Sequence, residues 1–238
     1  MAIAFDAFTA GGFSSSTTHT YSHTCTGSDR ILFVHGYTNS NSDLITGITY
    51  NGVAMSFISK GSPSGGRYSY LYYLVAPATG ANNVVITASS STSLGGTSTS
   101  YTGASQSGQP DGTQSQLVTE TNTDNTVVTT ADNCWAVLTS IGAQATASTN
   151  TTLRGVGSTF GDAKMFDNNA DITPAGSYAM ATTSGGAGAI QYLQASFAPV
   201  FVPSGPANVK TYNGVASAST KTIDGVAIAS VKTWNGIA

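Results

Sequence analysis

Apolar positions along this chain follow a strand period and not a helical one. Thr18 to Thr26 alternates, placing His19, Tyr21, His23 and Cys25 on one face and small hydroxyl residues on the other. Arg30 to Tyr37 contains the continuous apolar run Ile31-Leu32-Phe33-Val34, which suits a strand buried on both faces. Ile48-Thr49-Tyr50 and Val53-Ala54-Met55-Ser56-Phe57 flank Asn51-Gly52. Asn-Gly accepts the positive φ angles of a two-residue type I′ turn, so a hairpin is predicted here. Further strands are predicted at 67–75, 83–89, 126–130, 133–141, 151–160, 177–183 and 189–202. Residues 89–116 form a Ser/Thr/Gly/Gln stretch expected to hold one strand near Tyr101 between long surface loops. No segment carries a 3.6-residue apolar period, and Ser, Thr and Gly all weaken helices.

These elements predict an all-β chain: a jelly-roll-like antiparallel β-sandwich over residues 1–202, then a β-rich C-terminal repeat appendage. The predicted core comprises Ile31, Phe33, Leu71, Tyr73, Val85, Trp135, Val137 and Leu193. Pro203-Ser204-Gly205-Pro206 marks the boundary, because two prolines bracketing a glycine end a strand and stiffen a linker over 203–208. Residues 209–238 carry three copies of an 11-residue repeat, with Asn213-Gly214, Asp224-Gly225 and Asn235-Gly236 at the same place. They read as a short meander, Val215–Ile223 against Val226–Trp234. The hexapeptide 211–216, Thr-Tyr-Asn-Gly-Val-Ala, is identical to 49–54.

Composition narrows the function classes. Charged residues make up 8% of the 238, against about 25% in ordinary soluble domains, while 31 Ser and 35 Thr take their place. Eight cations cannot build the phosphate-neutralising patch of a nucleic-acid binder. No apolar run reaches the ~18 residues of a membrane span. Met1 to Asp6 lacks the basic segment and apolar core of a signal peptide, which predicts a protein made in a cytoplasm and exported only inside a larger object. Cys25 and Cys134 are too few for a disulfide framework; two free thiols or one long-range bridge are open.

Catalytic motifs are sparse. The sequence holds no G-x-S-x-G elbow, H-E-x-x-H pair or Walker loop. His35-Gly36 after an apolar strand is a weak candidate for an oxyanion loop. His19 and His23 share a strand face but stand about 13 Å apart at ~3.3 Å per residue, too far to share one ion with His35. Asp111, Glu120, Asp124, Asp132, Asp162, Asp167 and Asp171 lie in loop-like surroundings. The segment from Asp162 to Asp171 offers oxygen ligands for calcium without EF-hand spacing; no other cofactor is expected. Tyr68, Tyr70, Tyr72, Tyr73 and Tyr101 are candidates for a sugar-stacking face.

Ala4-Phe5-Asp6, Ser22 to Gly27, Ile48 to Ala54 and Tyr73 to Gly80 resemble a β-sandwich family of tailed-phage virion proteins. The tail resembles the Lys-Thr-x-Asn-Gly repeats that end many phage structural and tail-associated proteins. The resemblance implies a non-enzymatic virion component, as capsid decoration or a tail or fibre part. Its expected partners are other virion proteins and further copies of itself. A host-surface glycan-binding module is the competing class, and a β-sandwich glycoside hydrolase the third. The apolar residues around the tail turns, Tyr212, Ile223, Val226, Ile228, Trp234 and Ile237, are the expected assembly surface.

Overall fold

The computed structural model describes residues 2–63, 66–119, 122–157, 163–184, 188–201 and the pairs 211–212, 215–216, 222–223 and 226–227. The chain divides into two compact units, Ala2–Val200 and the segment from Phe201 onward. Among the described residues every regular element is a strand, and every pairing is antiparallel.

The body strands are β1 (Ala4–Cys25), β2 (Ile31–Thr38), β3 (Ile45–Tyr50), β4 (Val53–Ala54), β5 (Ser56–Gly61), β6 (Tyr68–Val75), β7 (Gly80–Thr102), β8 (Gly112–Val118), β9 (Asn122–Val128), β10 (Trp135–Gly142), β11 (Ala145–Ala147), β12 (Thr152–Val156), β13 (Lys164–Asp167), β14 (Ser177–Ser184) and β15 (Ile190–Phe197). The expected sandwich is present, and it is present twice. In residues 4–102, β1 and β7 form one long ribbon whose register jumps between Ser16↔Thr92 and Thr18↔Thr87. The ribbon bends there. Its outer half joins β2, β6 and β5 in a five-stranded layer, and its inner half joins β3 in a three-stranded layer that the two-residue β4 extends at its edge. In residues 112–197 the five-stranded sheet β12-β13-β10-β15-β8 faces the three-stranded sheet β11-β14-β9.

Pairing for pairing the two halves coincide. β2 lies between β6 and β7, as β10 lies between β13 and β15. β3 pairs with the first part of β7 as β11 pairs with β14. The edge strands β5 and β12 even carry their bulge at the same place, at Phe57/Ser59 and at Leu153/Gly155. A bulge at an equivalent ladder position is a specific backbone feature, so its recurrence marks a structural repeat beyond shared architecture. The hairpin strand β4 has no partner in the second half.

Three cores follow from this arrangement. Tyr21, Val34, Ile48, Tyr50, Tyr70 and Ile86 fill the first sandwich. Cys134, Leu138, Phe166, Met180, Ile190 and Tyr192 fill the second. Ile31, Phe33, Leu71, Tyr101, Trp135, Val137, Met165, Leu193 and Phe197 pack the two five-stranded layers back to back. Strand β2 is therefore buried along its whole length: Leu32 and Val34 face the first sandwich, and Ile31 and Phe33 face the second. Six of the eight predicted core residues lie in that central layer, with half-buried Tyr73 packed against it. Val85 is a correction. It is half-buried on the outer face while Val84 and Ile86 point inward, because one step along a strand changes face.

The low-complexity stretch is the larger correction. Its beginning is not a surface loop but the second part of β7, and Leu94 to Tyr101 are all buried; its end, from Gly112, is in β8. Small residues are required there by large neighbours. A Cβ on Gly95 would stand 2.1 Å from the Tyr37 ring, and one on Gly96 would stand 2.6 Å from Ile86. Both contacts are closer than atoms can approach.

At Asn51 and Gly52 the φ angles are +49° and +77°, and Tyr50 pairs with Val53, so the predicted hairpin forms in the predicted register. Among its described residues the tail has two short ladders, β16 (Thr211–Tyr212) with β17 (Val215–Ala216) and β18 (Thr222–Ile223) with β19 (Val226–Ala227). Thr211↔Ala216 and Tyr212↔Val215 repeat the register of Thr49↔Ala54 and Tyr50↔Val53. The linker 203–208 and most of the two nine-residue strands expected in the tail lie outside the described residues.

Candidate functional site

Two of the acids, Asp6 and Asp111, sit with hydroxyl partners in two equivalent places. In the first repeat Asp6, at a bulge of β1, accepts hydrogen bonds from the Thr26 backbone N–H (2.9 Å), the Thr26 hydroxyl and the Ser100 hydroxyl (2.7 Å). In the second, Asp111 accepts from the Thr130 N–H (2.9 Å), the Thr130 hydroxyl and the Ser196 hydroxyl (3.1 Å). Ser100 and Ser196 precede Tyr101 and Phe197, which pair with the first residues of β2 and β10. Each aspartate thus ties the start of a repeat to the turn that follows β1 or β9 and to the last strand of the repeat.

His23 extends the first clamp. It is 1% exposed, with Nε2 3.0 Å from Ser100 Oγ and Nδ1 2.9 Å from Thr9 Oγ1. The Ser100 proton goes to Asp6, so His23 Nε2 donates to Ser100 and Nδ1 accepts from Thr9. This is the reverse of nucleophile activation, in which the imidazole must accept the serine proton. Burial lowers the His23 pKa to about 4 against the pull of Asp6. Burial also opposes ionisation of Asp6, but the hydrogen bonds from Thr26 and Ser100 outweigh it and hold the carboxyl below its usual range. The second clamp has Val127, 1% exposed, at the position of His23. It works without an imidazole, which identifies the shared part as the Asp-Thr-Ser tie.

The other two histidines lie elsewhere. His19 Nε2 is 3.1 Å from the Gly11 carbonyl and Nδ1 is 3.1 Å from Ser14 Oγ, pinning the two halves of the folded β1 together. Burial lowers its pKa. His35 is fully buried in the middle of β2 beside Ser69 Oγ at 2.8 Å, with its pKa pushed down to about 3 by burial. The oxyanion-loop expectation for His35-Gly36 is therefore corrected: both residues are interior strand positions. Among the described residues no group of three or more His, Cys, Asp or Glu is placed to hold a metal.

The calcium expectation meets carboxylates already engaged. Fully buried Asp167 accepts from Arg154 Nε at 2.5 Å and from the Tyr101 hydroxyl at 3.0 Å, where the Arg154 guanidinium also lies 4.2 Å from the centre of the Phe5 ring. Burial raises the Asp167 pKa despite Arg154. Asp171 accepts from the Trp135 indole at 3.0 Å, and Asp132 from the Ala175 N–H at 2.7 Å. Asp124 is exposed on β9, and Glu120 and Asp162 lie outside the described residues. Both cysteines are free and buried; burial and Asp111 push the Cys134 thiol up to about 12.

The tyrosine face is also corrected. Tyr70, Tyr72 and Tyr101 are buried in the cores, Tyr68 stacks on Tyr70 at 5.2 Å, and the Tyr73 hydroxyl donates to the Gln109 carbonyl. Tyr68, Tyr70 and Tyr72 share the face that packs into the first core, and Tyr73 and Tyr101 pack into the central one, so they cannot present one exposed stacking surface. A feature with no sequence signal of its own is an open depression of about 370 Å³ between the β3–β4 turn and β7. It is lined by Thr49, Asn51, Gly52, Ala81, Asn82, Asn83 and Val85.

Of the expected assembly residues, Tyr212, Ile223 and Val226 sit on the short tail ladders directly beside the turn dipeptides. Ile228, Trp234 and Ile237 lie outside the described residues. Comparison of this chain with protein-family models, with curated proteins and with solved structures finds no match.

Proposed function

We propose that this chain is a non-enzymatic structural protein of a virion, serving as capsid decoration or as a tail or fibre component. It is made in the host cytoplasm and joins other virion proteins and copies of itself through residues 209–238. The observation that carries the reading is the duplicated clamp. The same Asp-Thr-Ser tie closes both sandwiches, and the histidine beside one of them is buried and holds its proton in the wrong direction for catalysis. A double sandwich closed by internal polar ties, with few surface charges, suits a durable assembly part. The repeated tail hairpin, in the same register as its copy in the body, suits a modular attachment element.

Mass spectrometry of purified particles tests the reading: the chain should be present at many copies per particle. Deletion after Pro206 should leave the body folded and abolish its incorporation. Normal incorporation of the truncated chain overturns the role of the tail, and turnover of a polysaccharide by the pure protein overturns the non-enzymatic reading.

A further inference from the structure

We propose that the outer face of the three-stranded layer in the first repeat binds a neutral oligosaccharide, centred on the depression at Thr49, Asn51 and Asn83. The Asn51 and Asn83 amides and the Thr49 hydroxyl line this depression beside Val85, and no ionisable residue does. Phosphate, nucleotide, sulfated sugar or a metal ion would find no charge to pair with there. A ligand that presents neutral hydroxyls and ring oxygens finds amide and hydroxyl partners in Asn51, Asn83 and Thr49, with Gly52 and Ala81 leaving room for the ring and Val85 an apolar surface beneath it.

The amides are held in place. Asn51 occupies a left-handed turn position at φ +49°, and its N–H donates to the Asn83 carbonyl at 2.9 Å, fixing the turn against β7. Asn82 Nδ2 donates to the carbonyls of Thr79 (3.1 Å) and Gly80 (3.3 Å) and to Tyr50 Oη (3.4 Å). These bonds tie Asn82 to the inward side of β7, with Val84 and Ile86, and anchor the strand end beneath the depression. Tyr50 Oη itself sits 3.2 Å from the carbonyls of His23, Ala78 and Gly80, so the support is fully buried. Recognition groups fixed before the ligand arrives lose less entropy on binding.

The depression opens onto a wider polar platform. On β1, exposed Ser22 lies opposite Asn83, Thr24 opposite Ala81, and Thr20 opposite Val85. These strands are about 4.8 Å apart and alternate residues about 6.7 Å apart, giving a regular uncharged array wide enough for more than one sugar unit. The second repeat provides an internal comparison. By the shared register Tyr178 and Ala179 stand where the first repeat has Asn82 and Asn83, and the β3–β4 hairpin has no counterpart there. Two copies of one framework differ at this face by gaining or lacking the amide set, which points to a ligand at one of them.

The test uses the full chain on an array of neutral, sialylated and sulfated glycans, followed by calorimetric titration of the best ligand. Neutral oligosaccharides should bind in the millimolar range or tighter. Asn51→Gly combined with Asn83→Ala should weaken binding at least tenfold with an unchanged thermal midpoint, since glycine accepts the left-handed turn. Thr126→Ala on the matching face of the second repeat should change nothing. Ser22→Ala with Thr49→Ala reads the same face should the turn variant lose stability. Absence of neutral-glycan binding, preference for charged glycans, or undiminished binding by both double variants overturns the proposal. It does not depend on the virion reading: the Asn51/Asn83 variant should still enter particles.

Discussion

Acidification from pH 7.5 to 5 should destabilise the body through its buried histidines. His23 and His35 titrate near 4 and 3 in the folded chain, whereas an unfolded histidine titrates near 6.5. The folded values are depressed, so the stability these groups provide is complete above pH 6.5 and is lost as the pH falls toward the folded values. At pH 5 each unfolded histidine gains about 1.4 kcal/mol per pH unit over 1.5 units, or ~2 kcal/mol, while the folded forms gain almost nothing. Two of them amount to ~4 kcal/mol, a large share of the ~5–15 kcal/mol that holds a typical domain. His19 acts in the same direction. Urea denaturation followed by circular dichroism at pH 7.5, 6 and 5 reads the slope, which should correspond to about two protons taken up on unfolding near pH 5. His23→Val, which copies Val127 of the second repeat, should lower stability at pH 7.5 yet remove about one proton from that slope. A stability that is flat between pH 7.5 and 5, or an unchanged slope in the variant, would refute the assignment of these imidazoles as buried and neutral.

Three further outcomes follow from the polar ties. Arg154→Met leaves the Asp167 carboxyl buried without its cation and should cost about 3–5 kcal/mol in urea denaturation, with Asp167→Asn in the same background recovering part of it. Asp6→Ala and Asp111→Ala each orphan a threonine and a serine hydroxyl and should cost similar amounts, about 1–3 kcal/mol, as an equivalent role requires; a large effect at one site only would contradict the equivalence. Cys25 and Cys134 should react with a thiol reagent only after unfolding, because both are fully buried and the pKa of each thiol is raised.

What the sequence revealed was set by local chemistry. Asn51-Gly52 names its own turn, and the face shared by His19, Tyr21, His23 and Cys25 is visible in strict alternation; all four are buried. The central core was legible for a related reason, since Ile31, Phe33, Leu71, Val137 and Leu193 are apolar residues within apolar runs. The strand near Tyr101 is expected and present, but its first part, 92–98, reads as loop because its identity is decided by partners far away. Ser98 and Ser100 are buried by hydrogen bonds to Tyr21 and His23, and Gly95 by the Tyr37 ring. Composition reads such residues as surface. The duplication was hidden because equivalent positions share ladder register, not residue type: Ile31 matches Trp135, and Tyr21 matches Asn125. The clamps leave a faint trace in spacing, with Asp to Thr 20 and 19 residues apart and Asp to Ser 94 and 85 apart, but nothing local singles it out.

The back-to-back packing of the two repeats has a consequence for concentration. Two separate sandwiches joined through such a face would form a dimer and would fall apart on dilution. Here the short connection from Thr102 to Gly112 makes the encounter intramolecular, at an effective concentration on the order of millimolar. Dilution cannot separate the pair. Each half is therefore released from having to be its own partner, and its outward face is free to diverge. Asn83 on one side and Ala179 on the other show that divergence within a single chain.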